Sequence, residues 1–147
     1  MPLGTPMLMF VAYRHAEQRI LAHLHERGFP DLTLAQLRIA ARLDDGGSRL
    51  TTLATSAQVT KQTAGFLVDQ LEKAGYVERR PDPTDARARL VVLAERGQAA
   101  GSAAREMEAR LDAEWTEHVG AERMAALHET LGALREITDP FAGTRAD

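Results

Sequence analysis

The sequence predicts a mainly α-helical chain with one small β-hairpin set between helices. Ala, Leu and Arg are plentiful, while aromatic residues make up 5% of the 147, a composition that favours helices. Apolar residues recur at spacings of three and four through most of the chain. Only Tyr76-Val77 and Leu90-Val91-Val92-Leu93 have the aromatic and β-branched character of strands.

Each element follows from local signals. Residues 7–27 carry Leu8, Val11, Ile20 and Leu24 among Arg and Glu, and Gly28 and Pro30 supply the stop. Thr33-Leu-Ala-Gln36 has the form of a capping box ahead of Leu37, Ile39, Ala40 and Leu43, so a second helix is expected to run to Asp44-Asp45-Gly46-Gly47. A short helix over Leu50–Ser56 and a longer one over Val59–Lys73 come next. The longer one has an apolar stripe of Ala64, Leu67, Val68 and Leu71, with Phe66 beside it. Gly75 stands where a helix end wants a left-handed residue. The two strands follow, separated by a charged tip in which Pro81 and Pro83 discourage both helix and ladder. After Gly97 the chain returns to helix: Ala103, Met107, Leu111, Trp115 and Val119 recur every four residues. Gly120 interrupts, Met124, Leu127, Leu131 and Leu134 continue, and Pro140 ends the run.

A short helix, a longer helix and then a hairpin is the layout of a winged helix-turn-helix. The expected organisation is an N-terminal helix over 1–30, a winged helix-turn-helix over 31–97 and C-terminal helices over 98–147. The winged middle closes on itself and leaves the terminal stripes to be buried. A homodimer through Leu8, Val11, Leu111, Trp115, Leu127, Leu131 and Leu134 is the economical solution.

Composition narrows the function. With no cysteine, disulfides, thiolate metal sites and cysteine nucleophiles are excluded. No run approaches the roughly 18 apolar residues of a membrane span. The opening MPLGTPMLMF lacks a basic start and a clear small-residue cleavage site, so a cytoplasmic protein is expected. The formal net charge of −3 is uneven: residues 49–97 carry net +2 and residues 98–147 net −5. Local charge governs contact with nucleic acid, because screening cuts off beyond roughly 10 Å.

The stretch Ser56-Ala-Gln58-Val-Thr60-Lys61-Gln62-Thr63 opens the longer helix with hydroxyls, amides and a lysine. No acid appears between Arg49 and Asp69. Amides pair with adenine, lysine suits guanine or phosphate, and a recognition helix reads bases with its first residues. A plain capped helix has a similar polar first turn, so this segment alone does not decide. The hairpin adds to it. Arg87 and Arg89 alternate with alanines, Arg79 and Arg80 follow the first strand, and Asp85 lies close enough to Arg87 to orient its guanidinium. An arginine at such a tip suits a narrow minor groove. Most charged turns, however, are simply solvated.

The order of these pieces resembles the MarR family of bacterial transcription regulators. The resemblance rests on Leu53-Ala54, on Thr60-Lys-Gln-Thr63, on LVDQLEKAGYVERR from Leu67 to Arg80, on Asp85-x-Arg87, and on Glu95-x-Gly97. It spans about a third of the chain closely and implies a homodimer with interlocked terminal helices on a pseudo-palindromic operator. The longer helix would enter the major groove and the wing the flanking minor groove. Repression, relieved by a small anionic or phenolic ligand, is the family's common mode. The resemblance places Gln58, Thr60, Lys61, Gln62 and Thr63 against DNA, with Arg87 as the wing arginine partnered by Asp85. The polar helix entry and the hairpin add Ser56, Arg80 and Arg89 as DNA-binding candidates, Arg80 either touching phosphate or solvating the base of the strand. Tyr13, His15, Arg19 and Trp115 are candidate ligand liners, although Trp115 also fits the apolar stripe. Two features depart from expectation. Ala94 replaces the Thr that would cap the next helix, a cap worth about 1 kcal/mol. Gly65 lies inside the recognition helix at a cost of about 1 kcal/mol relative to Ala, and would permit close approach of protein or DNA backbone.

No nucleophile elbow, phosphate loop or H-E-x-x-H is present, so no enzyme and no cofactor are expected. His23 and His25, two apart on a helix, diverge, which argues against a metal-responsive regulator. The competing expectation is a helical protein-interaction module with a wing that binds no DNA.

Overall fold

The computed structural model describes residues 1–141. Its elements are α1 (Thr5–Glu26), α2 (Leu34–Ala40), α3 (Leu50–Ser56), α4 (Lys61–Lys73), β1 (Val77–Asp82), β2 (Asp85–Leu93), α5 (Glu95–Val119) and α6 (Ala121–Thr138). It is mainly helical, with a two-stranded antiparallel sheet. The core lies in the middle of the chain, where Leu24, Leu32, Ile39, Leu53, Val68, Leu71, Tyr76, Val77 and Val91 are buried together.

The capping box forms as expected: Thr33 Oγ1 accepts from the Gln36 amide at 3.2 Å and Gln36 Oε1 accepts from the Thr33 amide at 3.1 Å. The helix it starts is shorter than expected, ending at Ala40 rather than near Asp44. The chain turns there because Ser48 pairs with Val91 of β2 through bonds of 3.0 and 2.8 Å. Gly47 makes that turn at φ +95, and a Cβ there would meet Val92 Cγ1 at 2.6 Å. This short bridge beside the hairpin had no signal in the sequence.

Thr60 caps α4, its Oγ1 accepting from the Thr63 amide at 3.0 Å, and Gly75 follows the helix at φ +83. The strands run further than their apolar residues suggest. The ladder continues from Val77↔Leu93 to Pro81↔Arg89 and, after an irregularity, to Asp82↔Asp85. The charged stretch is therefore mostly strand, with a turn of only two residues, Pro83 and Thr84. Each strand here has an outer edge, where proline's missing N–H leaves no ladder bond unmade.

Helix α5 starts at Glu95 with Ala94 as an N-cap that makes no side-chain bond. It leaves the wing in very close contact, because a Cβ on Gly97 would come within 2.1 Å of the Tyr76 carbonyl oxygen. Its Ala100, Ala103, Met107 and Leu111 are buried, and the helix packs along α1. After Gly120 (φ +93), α6 folds back beside α5 with none of its residues buried. Among the described residues, no helix is long and apolar enough to cross a membrane.

Candidate nucleic-acid interface

The turn between α3 and α4 is held by backbone bonds: the Gln58 amide donates to Thr55 O (3.1 Å) and the Val59 amide to Ala54 O (3.0 Å). Gln58 sits at φ +59, a left-handed conformation uncommon for a residue with a side chain. It is exposed there, as are Thr60, Lys61, Gln62 and Thr63. The buried stripe Ala64, Leu67, Val68 and Leu71 fixes α4's orientation, leaving these polar residues on its free side. Their availability differs. Lys61 and Gln62 have no side-chain partner among the described residues. Thr60 is committed to its cap, and the half-buried Ser56 donates its hydroxyl to Leu53 O at 3.1 Å.

On the wing, Arg87 is exposed and its guanidinium has no partner among the described residues. Asp85 does not aim it: Asp85 Oδ1 accepts from the Arg87 backbone amide at 3.0 Å, which shapes the chain rather than the side chain. Arg80 is exposed beside Glu78, with both bonds to Oε2 near 3 Å, and Arg89 donates to the Arg79 carbonyl at 3.3 Å. Arg79 bridges Asp69 (2.7 Å) and Glu72 (2.9 Å) of α4. It ties the wing's base to the recognition helix and offsets two acids there.

The residue that secures the tip is Asp82, not singled out in the sequence. Its Oδ1 accepts from the Thr84 amide (2.8 Å) and hydroxyl (2.7 Å), and its Oδ2 from Arg49 Nε (2.9 Å) and Nη2 (2.7 Å). The Thr84 amide and hydroxyl, then Arg49, bring its carboxyl down to about 2. The wing is thus fastened to the N-cap of α3. Asp-x-Thr is a turn-forming pattern that could have marked Asp82 as the structural acid of the tip.

The comparisons with known proteins agree with this geometry. Residues 31–88, from the loop before α2 to the second wing strand, match the family model described as MarR family. Over that segment the chain is similar to the MarR family. The MarR resemblance extends beyond the matched segment. A transcriptional regulator titled PA4135 is 25% identical, with 93% of this chain and 99% of that one covered at a TM-score of 0.72. Transcriptional regulator Tm0710 from Thermotoga maritima is 26% identical, with coverage of 90% and 91% and a TM-score of 0.61. Wild-type MarR from E. coli in its apo form is 22% identical, with coverage of 91% and 98% and a TM-score of 0.70, a likeness of fold. A search of curated proteins by sequence finds no match. These neighbours are named as transcriptional regulators, and the architecture they share with this chain is the winged helix.

Of the four candidate ligand liners, two come together. Tyr13 and Trp115 line a cavity of about 490 Å3 between α1, α2 and α5, whereas His15 and Arg19 lie outside its lining. Both terminal nitrogens of Arg19 are bound to Glu114, each at 3.0 Å. No motif points to Glu17, a buried carboxylate in the cavity wall. It accepts from Arg38 Nε (2.7 Å), Arg38 Nη2 (2.8 Å) and Arg14 Nη1 (2.7 Å), and the Arg38 bonds are the main cause of a carboxyl held at about 2. Among the described residues, no three His, Cys, Asp or Glu groups converge as a metal site would require.

Of the residues expected at a dimer seam, Leu111 is corrected. It is 2% exposed within the single chain, because its turn of α5 faces α1. Trp115 is half-buried. Leu8 (55%), Val11 (53%), Leu127 (44%), Leu131 and Leu134 remain exposed and uncovered.

Proposed function

We propose that this protein is a regulator of the MarR type, a homodimeric, sequence-specific repressor whose α4 reads the major groove and whose wing enters the flanking minor groove. The observation that carries the reading is the pairing of two free cationic side chains, Lys61 at the start of α4 and Arg87 on the wing. Around them Arg49, Arg79 and Arg80 are held by carboxylates of the chain, and Arg89 donates to the Arg79 carbonyl. A free guanidinium loses less on binding phosphate or a groove edge than one that must first leave an ion pair.

The exposed apolar residues at the start of α1 and along α6 support a dimer, since Leu8, Phe10, Val11, Leu127 and Leu131 would find cover there. Two lobes would then present half-sites one helical turn, roughly 34–36 Å, apart. The cavity supports a ligand response. Its walls come from α1 and α5 on one side and from Leu37, Leu71, Tyr76 and Leu93 of the winged lobe on the other, so an occupant would set the angle between them. An apolar molecule fits most of this lining. Arg105 is the rim cation left for an acidic or phenolic oxygen, Arg38 being committed to Glu17.

The test is a titration of a selected duplex with wild-type protein and with Arg87→Ala at matched salt. The variant should bind more weakly by about 1–3 kcal/mol with an unchanged melting temperature. Equal binding would remove the wing from the interface. Wild-type affinity that hardly changes with salt would favour the helical interaction module, because phosphate contacts make it fall steeply.

A further inference from the structure

Phe66 is 63% exposed, the most exposed aromatic residue in the winged lobe. A single exposed aromatic ordinarily needs no explanation. Its position does. In α4 it lies one turn beyond Gln62, on the side opposite the buried Ala64, Leu67, Val68 and Leu71, so it shares the outward face with the helix's polar opening. Beside it, Gly65 lowers the helix surface, and a Cβ there would meet only Leu50 Cδ2, at 3.6 Å. The acids one turn further on, Asp69 and Glu72, are both bound to Arg79. The ring therefore sits on a polar helix face whose nearest carboxylate, that of Asp69, is held in an ion pair.

We propose that Phe66 is a base-reading residue that packs its ring against the 5-methyl group of a thymine in the major groove. That methyl is the one apolar feature a base pair offers there, and an aromatic side chain next to hydrogen-bonding amides is suited to it. Gly65 gives the ring's flank room to approach the base edge. Gln62 and Lys61, one turn earlier, serve the neighbouring pairs. The inference rests on the DNA-binding reading above and specifies part of its sequence preference.

The test uses the full chain and duplexes that the wild-type protein selects from a random pool. Each thymine of the bound consensus is replaced in turn by deoxyuridine, which lacks only the methyl. One symmetry-related pair of thymines should respond, wild-type affinity falling about three- to fourfold per methyl. Phe66→Ala, which alters a mainly exposed ring, should bind the thymine and uracil duplexes equally, and Phe66→Leu should keep part of the preference. Wild-type binding that tolerates uracil at every position overturns the inference and leaves the DNA-binding reading standing. An undiminished uracil penalty in Phe66→Ala overturns it too, as does a change of oligomeric mass in that variant, which would assign the ring to a protein contact. Enrichment of no duplex at all overturns both.

Discussion

Around the hairpin, the charged side chains are largely engaged with one another; at the start of α1 and along α6, large apolar side chains stay exposed among the described residues. In the winged lobe Asp82 binds Arg49 and Thr84, and separately Arg79 binds Asp69 and Glu72. In the arms Leu8, Phe10, Val11, Leu127 and Leu131 stay exposed among the described residues. A region whose polar groups are satisfied internally can hold its shape alone. A region with uncovered apolar stripes is complete only against something else. The contrast says where specificity and where assembly should be sought, and it can be attacked from either side.

The largest effect is expected in the arms. Charges placed on both stripes, as in Leu8→Glu with Leu131→Glu, should convert a dimer into a folded monomer by sedimentation, with the helical signal of the winged lobe retained. A wild-type protein that is already monomeric at micromolar concentration would remove the distinction between the regions. The joint between arm and lobe comes next. Gly97→Ala puts a methyl against the Tyr76 carbonyl, a backbone atom that cannot rotate away, and should cost about 3 kcal/mol in denaturant unfolding.

A pH titration probes the internal bonds of the lobe and the cavity. Asp82 and Glu17 both have carboxyls lowered to about 2, from 3.8 and 4.5. A lowered carboxyl means that the unfolded chain binds the proton first. The stability these groups contribute is therefore present above about pH 4.5 and lost as pH falls towards 2. Unfolding free energy should decline over that window, and the decline should be shallower in the Asp82→Asn, Glu17→Gln double variant. The smallest expected changes are gains. Ala94→Ser should add about 1 kcal/mol by capping α5. Gly65→Ala should add up to about 1 kcal/mol, since its Cβ has ordinary room. If DNA affinity drops in that last variant while stability rises, the glycine serves the groove rather than the fold.

Much of this architecture was legible in the residues because it depends on short-range signals. Thr33 and Gln36 define a helix start between them, Gly75 ends α4, and Leu50–Ser56 coincides with α3. What escaped was set by partners distant in sequence. Nothing near Asp44 announces that Ser48 must reach Val91, so α2 looked longer than it is. The prolines suggested a long irregular tip, but an open-edged ribbon tolerates them and the ladder continues to Asp82. At the interface, spacing brought Asp85 near Arg87 correctly and assigned the wrong atoms. The carboxylate holds the backbone, while the acid that fastens the wing, Asp82, pairs with an arginine 33 residues earlier. His15 and Arg19 were chosen for chemistry alone, and α1 turns them away from the cavity that Tyr13 and Trp115 share. Leu111 carries the same apolar signature as the exposed leucines; only its packing against α1 separates core from seam.

The missing methyl at Gly97 has a mechanical consequence. The Tyr76 carbonyl, which accepts from the Ala94 amide at 3.0 Å, is also the atom on which Gly97 rests. The end of the recognition helix, the foot of the wing and the first turn of α5 therefore meet within a few ångströms, without a flexible connection between them. At 1.5 Å per residue, the 25 residues of α5 make a lever about 37 Å long. A tilt of about 5° at that fulcrum displaces the far end by about 3 Å. Small rotations of the lobe and small adjustments at the distant tip are thus two ends of one lever.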